Sequence, residues 1–241
     1  MKKLIVIPAR MASARLPGKP LADIHGQPMI AHVFSRAIKS AVGPVIVACA
    51  DAQIADAVRA IGGDAIMTDP DLPSGSDRVR VAADIFDPNG AFDIIVNVQG
   101  DMPALDPEII GDIVACLEAN PNADIATGVV YTENKREIED PNVVKAILAK
   151  DGRALYFTRA PAPSGEGGVY HHVGIYAYRR AALNRFCHLA PSGLEKRERL
   201  EQLRALEDGM TIYAARLQTA PDGVDTPDDL ERARAQLKDE K

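Results

Sequence analysis

Short apolar runs alternate along the chain with stretches in which apolar residues recur every three or four positions. The first pattern is that of buried strands and the second that of amphipathic helices. Their alternation predicts an α/β sheet. Strands are predicted at Leu4–Ile7, Val45–Ala48, Ala65–Met67, Ile94–Val98, Ile125–Val130, Ala146–Leu148, Ala154–Phe157, Gly174–Tyr178 and Thr211–Ala214. Helices are predicted to begin near Pro28, Ala52, Gly75, Pro107, Arg179, Glu195 and Pro227. The helix after Asp106 is the best defined. Asp106 suits the N-cap and Pro107 the first turn, while Ile109, Ile110, Ile113, Val114 and Leu117 make an apolar stripe that reads as core packing. Asp151-Gly152 lies between two apolar runs and predicts a hairpin turn, which breaks the βα alternation. The expected layout is one domain over 1–241 with a small antiparallel lobe at about 142–168, in which Pro161–Gly168 is a loop.

Composition narrows the function classes. The 241 residues are 46% hydrophobic and 26% charged, as in an ordinary globular protein large enough for one core plus a small lobe. A formal net charge of -6 argues against nonspecific nucleic-acid binding, which needs basic surface. A local cluster of cations still suffices for a small anionic ligand. Lys2-Lys3 leads straight into a short strand and no long apolar run follows, so neither a secretory signal nor a membrane span is expected. Cys49, Cys116 and Cys187 are far apart and form no C-x-x-C pair. They read as reduced residues of the core or its margin, in keeping with a cytoplasmic location.

One segment carries candidate chemistry. Pro8-Ala9-Arg10-Met11-Ala12-Ser13-Ala14-Arg15-Leu16-Pro17-Gly18-Lys19-Pro20-Leu21 follows the first strand. Arg10, Arg15 and Lys19 sit among small residues that let the backbone approach a ligand, which suits a polyphosphate. The loop is not a Walker A motif, because Pro20 stands where Ser or Thr would hold magnesium. A second candidate is Asp101, which follows the apolar strand Ile94–Val98 and the turn Gln99-Gly100. In an open α/β sheet ligands bind beyond the carboxyl ends of strands, where a carboxylate can hold magnesium on a phosphate. An exposed turn residue or helix cap is the plainer role. Asp225 is a third candidate. Thr226 can cap the helix that Pro227 opens, and Asp228 and Asp229 favour its first turn, so Asp225 is left without a structural task.

The Pro8–Leu21 segment resembles the signature PAR-x-x-S-x-RLPGKPL of the 3-deoxy-manno-octulosonate (Kdo) cytidylyltransferases, or CMP-Kdo synthetases, at every fixed position. Further matches run in order along nearly the whole chain. They are Pro73–Arg78, Val96–Asp101, Leu155–Ala160, His172–Tyr176, Leu200–Arg204 and Gly223–Pro227. Met102, where many relatives are acidic, and a short Ala160–Gly168 loop without the Trp-Asp element depart from the pattern.

The resemblance implies a mixed, mostly parallel, GT-A-like sheet flanked by helices, with the small lobe helping to form a homodimer. It implies that Pro8, Ala9, Arg10, Arg15, Lys19, Ser74, Arg78 and Gln99 contact the nucleotide. Arg10, Lys19, Asp101 and Asp225 would be catalytic, the two aspartates as ligands of Mg2+. It singles out Gln99, Arg159, His172, Glu201 and Gln202 for the sugar. From the residues alone, Ser74 reads as a helix cap, His172 as a satisfied structural histidine, and Glu201 and Gln202 as a solvated helix face. The expected reaction joins CTP and Kdo to give CMP-Kdo and pyrophosphate for lipopolysaccharide or capsule assembly, with neither nucleic acid nor membrane as partner. The alternatives are a related sugar acid, such as an 8-amino Kdo analogue or a sialic acid, a nucleotide-sugar glycosyltransferase, or a noncatalytic nucleotide-binding protein. The RLPGKP loop disfavours sialic acid. The single Asp of Gln99-Gly100-Asp101 disfavours the Asp-x-Asp motif of glycosyltransferases, and the paired aspartates with the cationic loop disfavour a noncatalytic role.

Overall fold

Leu4, Ile5, Val6 and Ile7 are all fully buried in a computed structural model that describes residues 1–13 and 15–239. An unbroken apolar run of this kind suits a parallel strand covered on both faces. The strand is β1 (Lys3–Ala9). It is followed by β2 (Asp23–Ile24), β3 (Gln27–Pro28), α1 (Met29–Lys39), β4 (Val45–Cys49), α2 (Ala52–Ala60), β5 (Asp64–Met67), α3 (Gly75–Phe86), β6 (Ile94–Asn97) and α4 (Glu108–Ala119). The described residues fall into two units, Met1–Gly111 with Pro221–Lys241, and Asp112–Ala220.

In the first unit the strands run parallel in the order β6-β1-β4-β5. The loops that leave β1, β4 and β6 therefore emerge at one edge, the carboxyl edge where ligands bind in such sheets. α1 buries Met29, Ile30, Val33, Phe34 and Ala37, one face of a helix. The short β2–β3 ribbon escapes the apolar pattern because each strand has two residues. Its turn is His25-Gly26, both at positive φ (52° and 84°), the geometry of a type I′ turn without its usual Asn or Asp.

The second unit holds β7 (Ile125–Thr132), α5 (Lys135–Glu139), β8 (Lys145–Leu148), β9 (Ala154–Thr158), β10 (Val169–Arg179), α6 (Arg180–His188), α7 (Gly193–Glu198), α8 (Leu203–Glu207) and β11 (Ile212–Leu217). β11 pairs parallel with β7, and β7, β10, β8 and β9 pair antiparallel in turn. The hairpin at Asp151-Gly152 forms as expected. Lys145 faces Thr158, Gly152 has φ 89°, and Asp151 Oδ1 accepts from the Arg153 amide. β10 starts five residues before the predicted Gly174, because His171 and His172 interrupt its apolar run. Mixed parallel and antiparallel pairing with flanking helices is the class that the sequence predicts.

The chain returns to the first unit at Pro221 and ends in α9 (Pro227–Gln236). Thr226 caps it as expected: its Oγ1 accepts from the Asp229 amide at 3.3 Å, and Asp229 Oδ2 accepts from the Thr226 amide at 2.8 Å. Leu230, Ala233 and Leu237 pack with Val224, Ile24 and Met29 in a second apolar cluster. The Val224 amide donates to the Asp101 carbonyl at 2.8 Å. These contacts bring residue 225 beside residue 101.

Gly100 is fixed by close approach. A Cβ there would lie 2.8 Å from the Pro8 carbonyl oxygen, so neighbouring backbone would have to move. Gly111 in α4 has open space where its Cβ would be. Gly100→Ala is expected to lower unfolding stability by about 1–3 kcal/mol, as overpacking does. Gly111→Ala is expected to raise it by up to about 1 kcal/mol through helix propensity. Urea midpoints measure both, and an unchanged midpoint for Gly100→Ala would contradict the close approach.

Candidate active site

The phosphate-loop candidate is held by one bond from the end of β4 and by two turns of its own. The Met11 amide donates to Asp51 Oδ2 at 2.8 Å, just beyond β4. The Leu16 amide donates to Ser13 Oγ at 3.4 Å. Gly18, at φ 69°, turns the chain into one 3-10 turn, Lys19–Leu21. A positive φ suits glycine because it lacks a Cβ. Lys19 is thereby aimed at the carboxylates that follow β6 and precede α9.

Lys19 Nζ donates to Asp101 Oδ2 at 2.8 Å and to Asp225 Oδ1 at 3.0 Å. Arg15 Nη2 lies 2.9 Å from Asp225 Oδ2. Burial alone would lower the Lys19 pKa, but the charges and hydrogen bonds of Asp101 and Asp225 outweigh it and raise the value. The ammonium is therefore held charged. The described residues contain no cluster of three or more His, Cys, Asp or Glu side chains arranged for a metal. Asp101 and Asp225 each place a carboxylate oxygen on the same ammonium.

A cavity of about 380 Å³ opens on this cluster, lined by Arg10, Ser13, Arg15, Lys19, Asp101 and Asp225 among others. A second, of about 260 Å³, shares Pro8, Ala9, Arg10, Gln99 and Asp101 with it and adds Leu72, Ser74, Gly75 and Arg78. Every nucleotide candidate named from the sequence thus lines one cavity or both. Ser74 also caps α3, with its Oγ accepting from the Asp77 amide at 3.2 Å and donating to Asp77 Oδ2 at 2.8 Å. Arg78 is 2% exposed. It donates to Thr68 Oγ1 and to the carbonyls of Asp69 and Pro70, which fixes the loop after β5. Burial, then the neighbouring Arg10 charge, lowers its pKa.

The four remaining sugar candidates belong to the second unit. The guanidinium of Arg159 donates to the carbonyls of Glu198, Pro141 and Arg199, at 3.0, 2.9 and 3.5 Å. Its backbone amide donates to Glu198 Oε2 at 3.0 Å. These bonds give Arg159 a structural task and leave two of its five N–H groups for another partner. His172 is buried between Phe157 and Tyr176, with Nε2 2.9 Å from Thr127 Oγ1. Burial, then the charge of His171, lowers its pKa to about 3, so the ring is neutral. Gln202 is 6% exposed, and its buried Nε2 has no hydrogen-bond partner among the described residues. An unmade bond at a buried amide costs stability unless water or a ligand completes it. Glu201 Oε1 lies 3.9 Å from Arg204, which is itself clamped bidentately by Glu195 at 2.8 and 2.6 Å.

Three residues escaped the sequence reading. Asp51 anchors the loop, and its position just past β4 repeats that of Asp101 past β6, a signal that could have found it. Glu198 anchors Arg159 from a charged helix and gave no such signal. Gly100 shows its role only through its contact with Pro8.

A family model described as cytidylyltransferase matches residues 4–212 of this chain. The 3-deoxy-manno-octulosonate cytidylyltransferase of Paramagnetospirillum magneticum is 59% identical over 240 residues, which cover 98% of this chain and 97% of that protein. The protein of that name from Rhodospirillum centenum is 60% identical over 239 residues, covering 97% and 93%. A solved structure of a CMP:2-keto-3-deoxy-manno-octonic acid synthetase complexed with CTP is 39% identical, covers 100% of each chain and aligns with a TM-score of 0.93. With its cationic loop and paired aspartates at the carboxyl edge of a parallel sheet, the chain belongs to the 3-deoxy-manno-octulosonate cytidylyltransferase family.

Proposed function

We propose that this chain transfers the cytidylyl group of CTP to Kdo, giving CMP-Kdo and pyrophosphate. The observation that carries this reading is the meeting of Lys19, Asp101 and Asp225 beside Arg10 and Arg15 in one cavity. Arg10, Arg15 and Lys19 oppose the triphosphate, and the adjoining cavity with Ser74 and Arg78 takes the nucleoside. The 2-hydroxyl of the sugar attacks the α-phosphorus in line. The new bond is from that oxygen to phosphorus, and the bond to the β-phosphate oxygen breaks. Pyrophosphate carries away the electron pair, and its developing charge faces the three cations. Positioning and electrostatics supply most of the catalysis.

The donor chemistry at Asp101 and Asp225 suits Mg2+, which takes hard oxygens and is commonly held by one or two carboxylates plus substrate phosphates. When bound there, Mg2+ neutralises phosphate charge and eases loss of the hydroxyl proton. Arg159, His172, Glu201, Gln202 and Gln99 are assigned to the sugar. The free Gln202 Nε2 and the spare N–H groups of Arg159 are donors suited to hydroxyls and a carboxylate. The same reading includes a homodimer in a Gram-negative-type cytoplasm, with a product destined for lipopolysaccharide. No helix among the described residues is long and apolar enough to cross a membrane.

Thermal shifts with four nucleoside triphosphates and Mg2+ are expected to be largest with CTP, since a ligand of the native state stabilises by mass action. Asp101→Asn and Asp225→Asn are expected to remove most pyrophosphate release from CTP and Kdo while the fold persists. Equal shifts for all four nucleotides would overturn the cytidylyl assignment.

Arg159→Ala is expected to lower kcat/KM for Kdo by about tenfold or more, the effect of losing one charged hydrogen bond. The Kd for CTP should stay near that of the wild type, and equal weakening of both substrates would refute the assignment. The neutral His172 gives a pH test. Its folded pKa lies below the ordinary 6.5, so the unfolded chain binds the extra proton and stability falls as pH drops from 6.5 toward about 3. His172→Gln should therefore lose stability less steeply than wild type over that window. Parallel urea midpoints would show that His172 is not the group titrating.

A further inference from the structure

Lys19 reaches both aspartates at once, with Nζ 2.8 Å from Asp101 Oδ2 and 3.0 Å from Asp225 Oδ1. Its side chain is 15% exposed, against 61% for Arg15, the other cation on Asp225. Two carboxylates this close to one point repel each other unless a cation lies between them. Of the three N–H donors of an ammonium, two are already committed, which leaves one for a phosphate. Lys19 therefore cannot brace the aspartates and grip a polyphosphate fully at the same time.

We propose that Lys19 is a resident counter-ion of the Asp101–Asp225 pair, which gives way to a divalent cation and passes to the nucleotide phosphates. This rests on the reading of those aspartates as metal ligands. Two cations, Arg15 and Lys19, contact the two carboxylates, so the nucleotide-free cluster already has its negative charge matched. A metal ion alone must displace an ammonium that then has no anion to meet. A metal arriving with a triphosphate supplies that anion. The flexible four-carbon stem of lysine, which carries a compact ammonium, permits the movement. Lys19 thus couples metal binding to nucleotide binding, and each ligand favours the other.

The test is Mn2+ binding, read from the paramagnetic resonance of free Mn2+, on the full chain with and without CTP. In Lys19→Met without CTP, Mn2+ is expected to bind about tenfold more tightly than in wild type, the loss of one charged hydrogen bond to be displaced. CTP should then improve Mn2+ affinity less in the variant than in wild type. Lys19→Arg, which keeps the charge, should bind Mn2+ without CTP no more tightly than wild type. Arg15→Gln, whose pair with Asp225 is exposed, should change that affinity by less than about fivefold. Lys19→Met binding Mn2+ no more tightly than wild type overturns the proposal, as does tighter binding by Lys19→Arg. Asp101→Asn and Asp225→Asn separate the two readings. If either abolishes Mn2+ binding while Lys19→Met leaves it unchanged, the metal site stands and the counter-ion role falls. If both bind Mn2+ as wild type does, the metal reading falls, and this proposal with it.

Discussion

Lys19 must meet carboxylates 82 and 206 positions away along the chain, and the site depends on that meeting. Local structure delivers each partner to it. Gly18 turns Lys19 inward, and the short turn after β6 places Asp101. The amide of Val224 on the carbonyl of Asp101, with the Val224 side chain in an apolar cluster, brings Asp225 alongside. The energetic logic is that of a partly buried charge group, in which no member can be left alone. Removing the ammonium leaves two like charges facing each other, and removing one carboxylate leaves the ammonium half paired.

Other charged groups follow the same rule with backbone as partner. Arg78 is buried, and three oxygens of the segment 68–70 accept its N–H groups. Lys145 is fully buried, and the carbonyls of Asp140, Val143 and Arg159 accept from its ammonium. Arg159 in turn ties Pro141 to Glu198 and Arg199. In the second unit this network fixes the root of the β8–β9 hairpin and the start of the segment that carries Glu201 and Gln202. Gln202 Nε2 is the contrast, a buried donor with no hydrogen-bond partner among the described residues.

The apolar pattern made the sheet strands and the long helices legible because burial on both faces of parallel strands demands unbroken apolar runs. Elements too short to carry a period were not legible: β2, β3, α5 and α8. The length of β10 was hidden by its two histidines, of which His172 is buried against Thr127 and His171 is part-exposed beside Glu137. The three cations, Asp101 and Asp225 were legible as chemistry. Their convergence was not, since it depends on contacts of Val224 that no local pattern records. Asp51 was legible in principle from its position after a strand. The task of Glu198 was not, because a glutamate on a charged helix looks the same whether it faces water or an amide.

A double-mutant cycle on Lys19→Met and Asp101→Asn, read as unfolding free energy without nucleotide or metal, addresses the central claim most directly. If the ammonium and the carboxylates form one charge group, the double variant loses less stability than the two single losses added, by about 1 kcal/mol or more. Losses that add within about 0.3–0.5 kcal/mol would mean that Lys19 and Asp101 act independently, and would contradict the account.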